Sequence, residues 1–173
     1  EVEEAEKDGV DAVIVDCALD PLLSASREFV RIPVIGASQA AYLIAAVVGD
    51  KFSIISPLNS LIPAYERRIR QYGLIGKLCS IRCINTPIEN LLHENAVTAF
   101  IDAGRRAIDL DGAEVLVLGC TGMSPVVPIL QDALPIPVID PAAAAITMAE
   151  SVMRLNITHS TIAYPYKRCD KEL

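Results

Sequence analysis

The 173-residue sequence has little of what marks a membrane, metal or nucleotide protein. No stretch reaches the roughly 18 consecutive apolar residues that a spanning helix needs. The longest candidate, AAYLIAAVV at 40–48, runs straight into Gly49-Asp50. Basic excess is also missing: 15 Lys and Arg against 22 Asp and Glu leave a net charge of −7. That balance excludes the positive surface needed for nonspecific binding to nucleic acid or anionic lipid. The one basic cluster, ERRIRQYG at 66–73, has the spacing of a solvated helix face. The acidic opening EVEEAEKDG lacks the basic end and apolar middle of a signal peptide. No spacing matches a metal site, a Walker loop or a GxGxxG cradle, so no metal or cofactor is expected.

Histidine is scarce. His93 falls in the helical pattern IENLLHENAV and reads as solvated helix surface, while His159, in NITHSTIAY, reads as structural. The cysteines number five, Cys17, Cys79, Cys83, Cys120 and Cys169. An odd set without close pairs does not form a disulfide framework, and no CxxC pair offers a zinc site. A reduced, cytoplasmic setting is the simplest expectation. Cys79 and Cys83 stand at even spacing in one strand and are expected on one face, in the core; Cys169 falls in a polar tail.

What is present is apolar. A 52% hydrophobic and 21% charged composition fits a globular protein with a substantial core, as one domain or two small lobes. That content is organised by a repeat. GVDAVIVDCALDP (9–21) matches GAEVLVLGCTGMSP (112–125): a glycine, an acidic residue two positions on, an apolar run, a cysteine eight positions after the glycine, then a proline. IPVIGASQAA (32–41) likewise matches IPVIDPAAAA (136–145). The cysteines lie 103 positions apart and the prolines Pro33 and Pro137 lie 104 apart, so two segments share nearly one offset. This is the signature of an internal duplication.

The runs AVIVDC and VLVLGC suit central parallel strands covered on both faces. Asp20-Pro21, Ser124-Pro125 and Asp140-Pro141 each pair a helix cap with a proline at the first helical position, the last opening a helix to about Leu155. IPVIG and IPVID are short strands; FSIIS (52–56) and LCSIRCI (78–84) supply two more, with helices over about 61–73 and 88–110. Strands alternating with helices give an α/β fold: two pseudo-symmetric lobes with parallel sheets flanked by helices. Residues 1–50 form what remains of the first lobe, 51–155 the second, and 156–173 a tail packing back on the first. If the halves are equivalent, roughly 50 residues of the first lobe are missing from the front.

Ligands of open parallel sheets bind beyond the carboxyl ends of the strands, where Cys17 and Cys120 both fall. Each also precedes an expected helix start, whose N–H groups favour a thiolate. Equivalent thiols facing each other across the cleft between two lobes suit removal of a proton from one face of a carbon and its return on the other. That is racemisation or epimerisation without a cofactor, one thiolate as base and the opposing thiol as acid.

These cysteine segments resemble the aspartate/glutamate/hydantoin racemase superfamily, and most closely its hydantoin and allantoin racemase branch. GAEVLVLGCTGM is similar to the branch's second cysteine motif, VIDPAAAAITMAE to the segment after it, DCALDPLLSASREFVRIPVIG to the first motif and the helix and strand beyond, and HSTIAYPYK to its C-terminal tail. The resemblance covers nearly all of the chain. It implies catalytic Cys17 and Cys120, substrate-holding backbone amides around Ala18, Thr121 and Gly122, and a substrate-facing hydroxyl at Ser56. In the first motif CALDP stands where the branch more often has an aromatic-glycine pair between cysteine and aspartate. The implied partner is a small molecule, a hydantoin-like ring or an amino acid, and a homo-oligomer is compatible with it. Two rivals fit the same residues: another reaction of the superfamily, such as maleate isomerisation or arylmalonate decarboxylation, and a non-catalytic ligand-binding protein on the same fold.

Overall fold

Two parallel sheets carry the apolar runs. The computed structural model describes residues 1–87, 90–91 and 94–167. The first sheet pairs β1 (Val13–Val15) with β2 (Val34–Gly36). The second has the order β4-β3-β5-β6, from β3 (Phe52–Ser56), β4 (Leu78–Cys83), β5 (Val115–Leu118) and β6 (Val138–Ile139). The helices are α1 (Val2–Lys7), α2 (Leu23–Phe29), α3 (Ala37–Val48), α4 (Ile62–Gln71), α5 (Glu94–Asp111), α6 (Val127–Ala133) and α7 (Pro141–Arg154). No described helix is long and apolar enough to cross a membrane. His93 and Cys169 lie outside the described residues.

Every residue of β3 and β5 is buried, as strands covered on both faces must be. Alternation splits their side chains. Ile54, Val115 and Val117 join Tyr42, Ala45, Tyr65, Ile69 and Ala145 on the side of α3, α4 and α7. Ile55, Leu116 and Leu118 join Phe100, Ala107 and Leu130 on the side of α5 and α6. The first of these cores also includes Ile35 of β2, so it runs between the sheets. There α3 packs against α7, each presenting alanines (Ala37, Ala41 and Ala45; Ala144, Ala145 and Ala149) that let the helices approach closely.

The duplication is visible in three dimensions. The order α1-β1-α2-β2-α3 recurs as α5-β5-α6-β6-α7. Val13 pairs with Val34 and Ile14 with Ile35; in the second half Leu116 pairs with Val138 and Val117 with Ile139. The Val13 amide donates to the Pro33 carbonyl and the Leu116 amide to the Pro137 carbonyl, both at 2.9 Å. Gly9 and Gly112, which end α1 and α5, have φ of +82° and +72°, a region where a glycine carries no steric cost.

Three local expectations fail, each for a tertiary reason. Asp20-Pro21 does not open a helix: α2 starts at Leu23, and Asp20, at φ +46°, turns its carboxylate toward α3. Ser124-Pro125 lies inside a 3₁₀ turn over Thr121–Val126, and α6 starts after it at Val127 with Pro128 in its first turn. Asp140-Pro141 does open α7, the Asp140 carboxylate accepting from the Ala142 amide at 2.9 Å. Cys79 and Cys83 do not share a face. A bulge pairs Phe52 with Leu78 but Ser53 with Ser80, leaving Cys79 as the extra residue. Cys79 then packs toward α5 and α6, Ile81 toward the opposite core, and alternation carries Cys83 to Ile81's side.

The helix over 66–71 meets its expectation, with Tyr65 and Ile69 buried and Arg70 paired with Glu66 at 3.4 Å on the outer face. After α7 the chain returns to α2. Thr158 donates to the Arg31 carbonyl at 2.8 Å, the Lys167 amide to the Glu28 carbonyl at 2.7 Å, and the Arg27 guanidinium lies over the Tyr164 ring. His159 is structural: its Nε2 donates to the Val30 carbonyl at 2.9 Å and its ring meets Tyr164 edge-on.

Candidate active site

The thiol turns are built alike. After β1 the chain leaves the sheet at Cys17, and the Asp20 amide donates to the Cys17 carbonyl at 2.9 Å. After β5 it leaves at Cys120, and the Met123 amide donates to the Cys120 carbonyl at 3.1 Å. Both cysteines therefore open a tight turn at the carboxyl end of a parallel strand, where such sheets present their ligand-binding groups.

Their environments differ. Cys17 is exposed; Cys120 is half-buried. Burial pushes the Cys120 thiol up from its ordinary range, the backbone of Gly122 partly offsets that, and the negative charges of Cys17 and Asp16 push it up further. That Cys17 acts on Cys120 in this way brings the two thiols into one electrostatic neighbourhood. Cys120 occupies the N-cap position of the 3₁₀ turn, without a capping hydrogen bond from its side chain, so it stands at the helix start expected for both cysteines. Cys17 does not: α2 begins six residues later.

Beneath Cys120 lies Tyr65. Its hydroxyl, buried, donates to the Gly119 carbonyl at 2.5 Å. Burial raises its titration above the usual phenol range, a nearby Ser56 hydroxyl lowers it somewhat, and the charges of Cys120, Cys17 and Cys83 raise it again. One tyrosine thus senses three thiols gathered at the strand ends. No sequence pattern singles out Tyr65, which sits among the apolar positions of an ordinary amphipathic helix. Cys83, read as core, instead belongs to this cluster's rim, half-buried with its thiol donating to the Asn85 side chain at 3.2 Å.

The expected binding residues divide. Gly122 is exposed and Thr121 half-buried on the Cys120 turn, whereas Ala18 is buried. Ser56 is fully buried. Its hydroxyl donates to the Leu58 carbonyl at 2.8 Å and accepts from the Leu58 amide at 3.3 Å, closing the turn after β3.

The difference between the thiols is directly measurable. With iodoacetamide near pH 8, Cys17 should be alkylated roughly tenfold faster than Cys120, because attack needs both access and thiolate. As pH rises, the Cys120 rate should reach its midpoint above the free-thiol value of about 8.5. Peptide mass spectrometry resolves the two; equal rates at pH 8 would contradict this electrostatic picture.

An α/β protein with paired strand-end thiols on a duplicated frame is one architectural class, and comparison with known proteins gives its family. Residues 1–149 match the family model described as Asp/Glu/Hydantoin racemase. A hydantoin racemase of Rhizobium meliloti is 37% identical over 170 residues, covering 95% of this chain and 70% of that protein. The structure of allantoin racemase from Klebsiella pneumoniae superposes with a TM-score of 0.88 at 31% identity, over 99% of this chain and 72% of that one. Allantoin racemase from Pseudomonas fluorescens also gives 0.88, at 30% identity over 94% and 71%. The chain belongs to the Asp/Glu/hydantoin racemase family and lies in its hydantoin and allantoin branch, whose racemases are isomerases.

Proposed function

We propose that the protein racemises a carbon next to a carbonyl in a hydantoin-like ring, with Cys17 and Cys120 as the acid/base pair, one from each of two lobes. Residues 1–50 and 51–155 supply the lobes, and the tail from 156 braces the first. The thiolate on one side takes the proton to leave a planar enolate, and the thiol on the other returns a proton to the opposite face; for the mirror-image substrate the roles exchange. Backbone amides around Ala18, Thr121 and Gly122 hold the carbonyl and stabilise the enolate charge. The reading is carried by one observation: equivalent turns at equivalent strand ends bear the repeated cysteines Cys17 and Cys120.

The anionic side chain of Asp16 acts on Cys120, a setting better suited to a neutral ring than to a carboxylate. A 5-substituted hydantoin also has a more acidic C–H than an amino-acid zwitterion, within reach of a thiolate. Single enantiomers of a 5-substituted hydantoin, allantoin, aspartate and glutamate should therefore separate cleanly. Optical rotation decays with one or both ring compounds, together with deuterium uptake from solvent at the stereocentre, and the amino acids stay unchanged. Turnover of the amino acids with neither ring compound would overturn the substrate assignment.

A further inference from the structure

Asp20 stands out as a buried carboxylate that the proposed chemistry does not use. It is fully buried and receives four hydrogen bonds. The Ser38 amide donates to Oδ1 at 3.0 Å, while the Ser38 hydroxyl (2.6 Å), the Gln39 amide (2.8 Å) and the Tyr72 hydroxyl (2.5 Å) donate to Oδ2. A buried charge held this way is fixed in place, because losing any donor leaves it poorly solvated.

Its connections make it more than a helix cap. Ser38 and Gln39 are in the first turn of α3, which lies between the sheets; Tyr72 follows α4, over the second sheet. Asp20 itself closes the turn that Cys17 opens. The second half handles the equivalent place differently. There the carboxylate belongs to the helix start, Asp140, and the thiol turn contributes only the Ser124 hydroxyl, which donates to Asp140 at 2.9 Å. In the first half the helix start is Gly36, and a Cβ there would lie 2.6 Å from Asp20 Cγ. The glycine leaves room for a carboxylate brought in from the thiol turn. Asp20 and Leu22 hold positive φ values of 46° and 56°, a conformation that non-glycine residues keep only when their surroundings impose it.

We infer that Asp20 is a positioning residue for the Cys17 thiol: its carboxylate ties the otherwise exposed Cys17 turn to α3 and, through Tyr72, to the sheet that carries Cys120. The link to catalysis rests on the two-thiol reading above; the placement of the thiol does not.

The test uses Tyr72→Phe, Ser38→Ala and Asp20→Asn. Tyr72→Phe removes one donor and keeps the ring that packs against Tyr42, so it stays informative where Asp20→Asn fails to fold. Iodoacetamide labelling is read by peptide mass spectrometry, with Cys120 in the same sample as reference, beside thermal unfolding. The Cys17-to-Cys120 labelling ratio should shift roughly threefold or more in each folded variant, since the turn loses an anchor that the Cys120 turn does not share. With a 5-substituted hydantoin, kcat should fall roughly tenfold with KM little changed, as expected when a reacting group is displaced but binding persists. An unchanged labelling ratio in every folded variant, whatever the loss of thermal stability, overturns the inference. A shifted ratio in a protein whose Cys17→Ser variant still racemises at the original rate upholds the positioning of Cys17 and defeats the two-thiol reading instead.

Discussion

Cys17→Ser and Cys120→Ser should each lower racemisation by roughly 10²–10⁴-fold, the range that a positioned acid or base contributes. A serine hydroxyl neither gives up its proton near neutral pH nor carries the charge that a thiolate would. Removing either thiol therefore leaves one face of the carbon without its partner. The enantiomers of a substrate with one stereocentre are equal in energy, so kcat/KM for the two directions must fall together, and conversion rates cannot tell the thiols apart. Deuterium exchange can. Each variant keeps one thiol able to act as base, and should still exchange the C–H of the enantiomer presenting its proton to that side, without inverting it. The two variants should show opposite enantiomer preferences. Proton NMR in deuterated water, followed beside polarimetry, reads both quantities. Two single variants racemising at the original rate would defeat the assignment of both cysteines.

Gly119→Ala should be the most damaging change next to the thiols. A Cβ at this position would lie 2.8 Å from the Tyr65 hydroxyl oxygen and 2.9 Å from the Ile55 carbonyl oxygen. The first neighbour is a side chain that donates to the Gly119 carbonyl; the second is the backbone of the central strand, which receives the Gly119 amide at 2.8 Å. Neither yields without moving the peptide that presents Cys120. Overpacking of this kind costs about 1–3 kcal/mol, and the displaced thiol should lose most of its activity even where the protein remains folded. Tyr65→Phe alone should cost about 1–3 kcal/mol by leaving the Gly119 carbonyl buried without a donor. The double variant should be less destabilised than the two single losses added together, because deleting the hydroxyl relieves one of the two clashes. It should not recover fully, since the Ile55 carbonyl stays in place. Urea unfolding of all four proteins gives the coupling; strict additivity would mean that the alanine is accommodated away from Tyr65.

Much of the fold was legible because burial on both faces leaves a plain trace. AVIVDC, VLVLGC and FSIIS are short apolar runs bounded by polar residues, and a parallel strand inside an α/β protein leaves few other choices. The duplication was legible because matching strands need matching registers, so Val13–Val34 and Leu116–Val138 fall at one offset in the sequence and at one place in their sheets. The candidate thiols followed from both, since a strand end is fixed once the strand is.

The misreadings have a common cause: each turned on a partner distant in sequence. Asp20 and Asp140 both precede a proline and look alike as caps. Asp140 caps its own helix while also accepting from the Ser124 hydroxyl; Asp20 is drawn away by amides and hydroxyls 18 to 52 positions distant, on α3 and at Tyr72. Even spacing put Cys79 and Cys83 on one face until pairing with β3 inserted a bulge between them.

The sequence by itself determined the α/β class, the repeat and the strand-end placement of Cys17 and Cys120, because these depend on local burial patterns and on the order of elements. Only the tertiary structure decided that one thiol is open and the other half-buried, that Tyr65 underlies the Cys120 turn, and that Asp20 joins the Cys17 turn to α3 and Tyr72. Those depend on which surfaces meet across the two sheets, and the electrostatics of a thiol are set by such neighbours, not by the residues beside it in the chain.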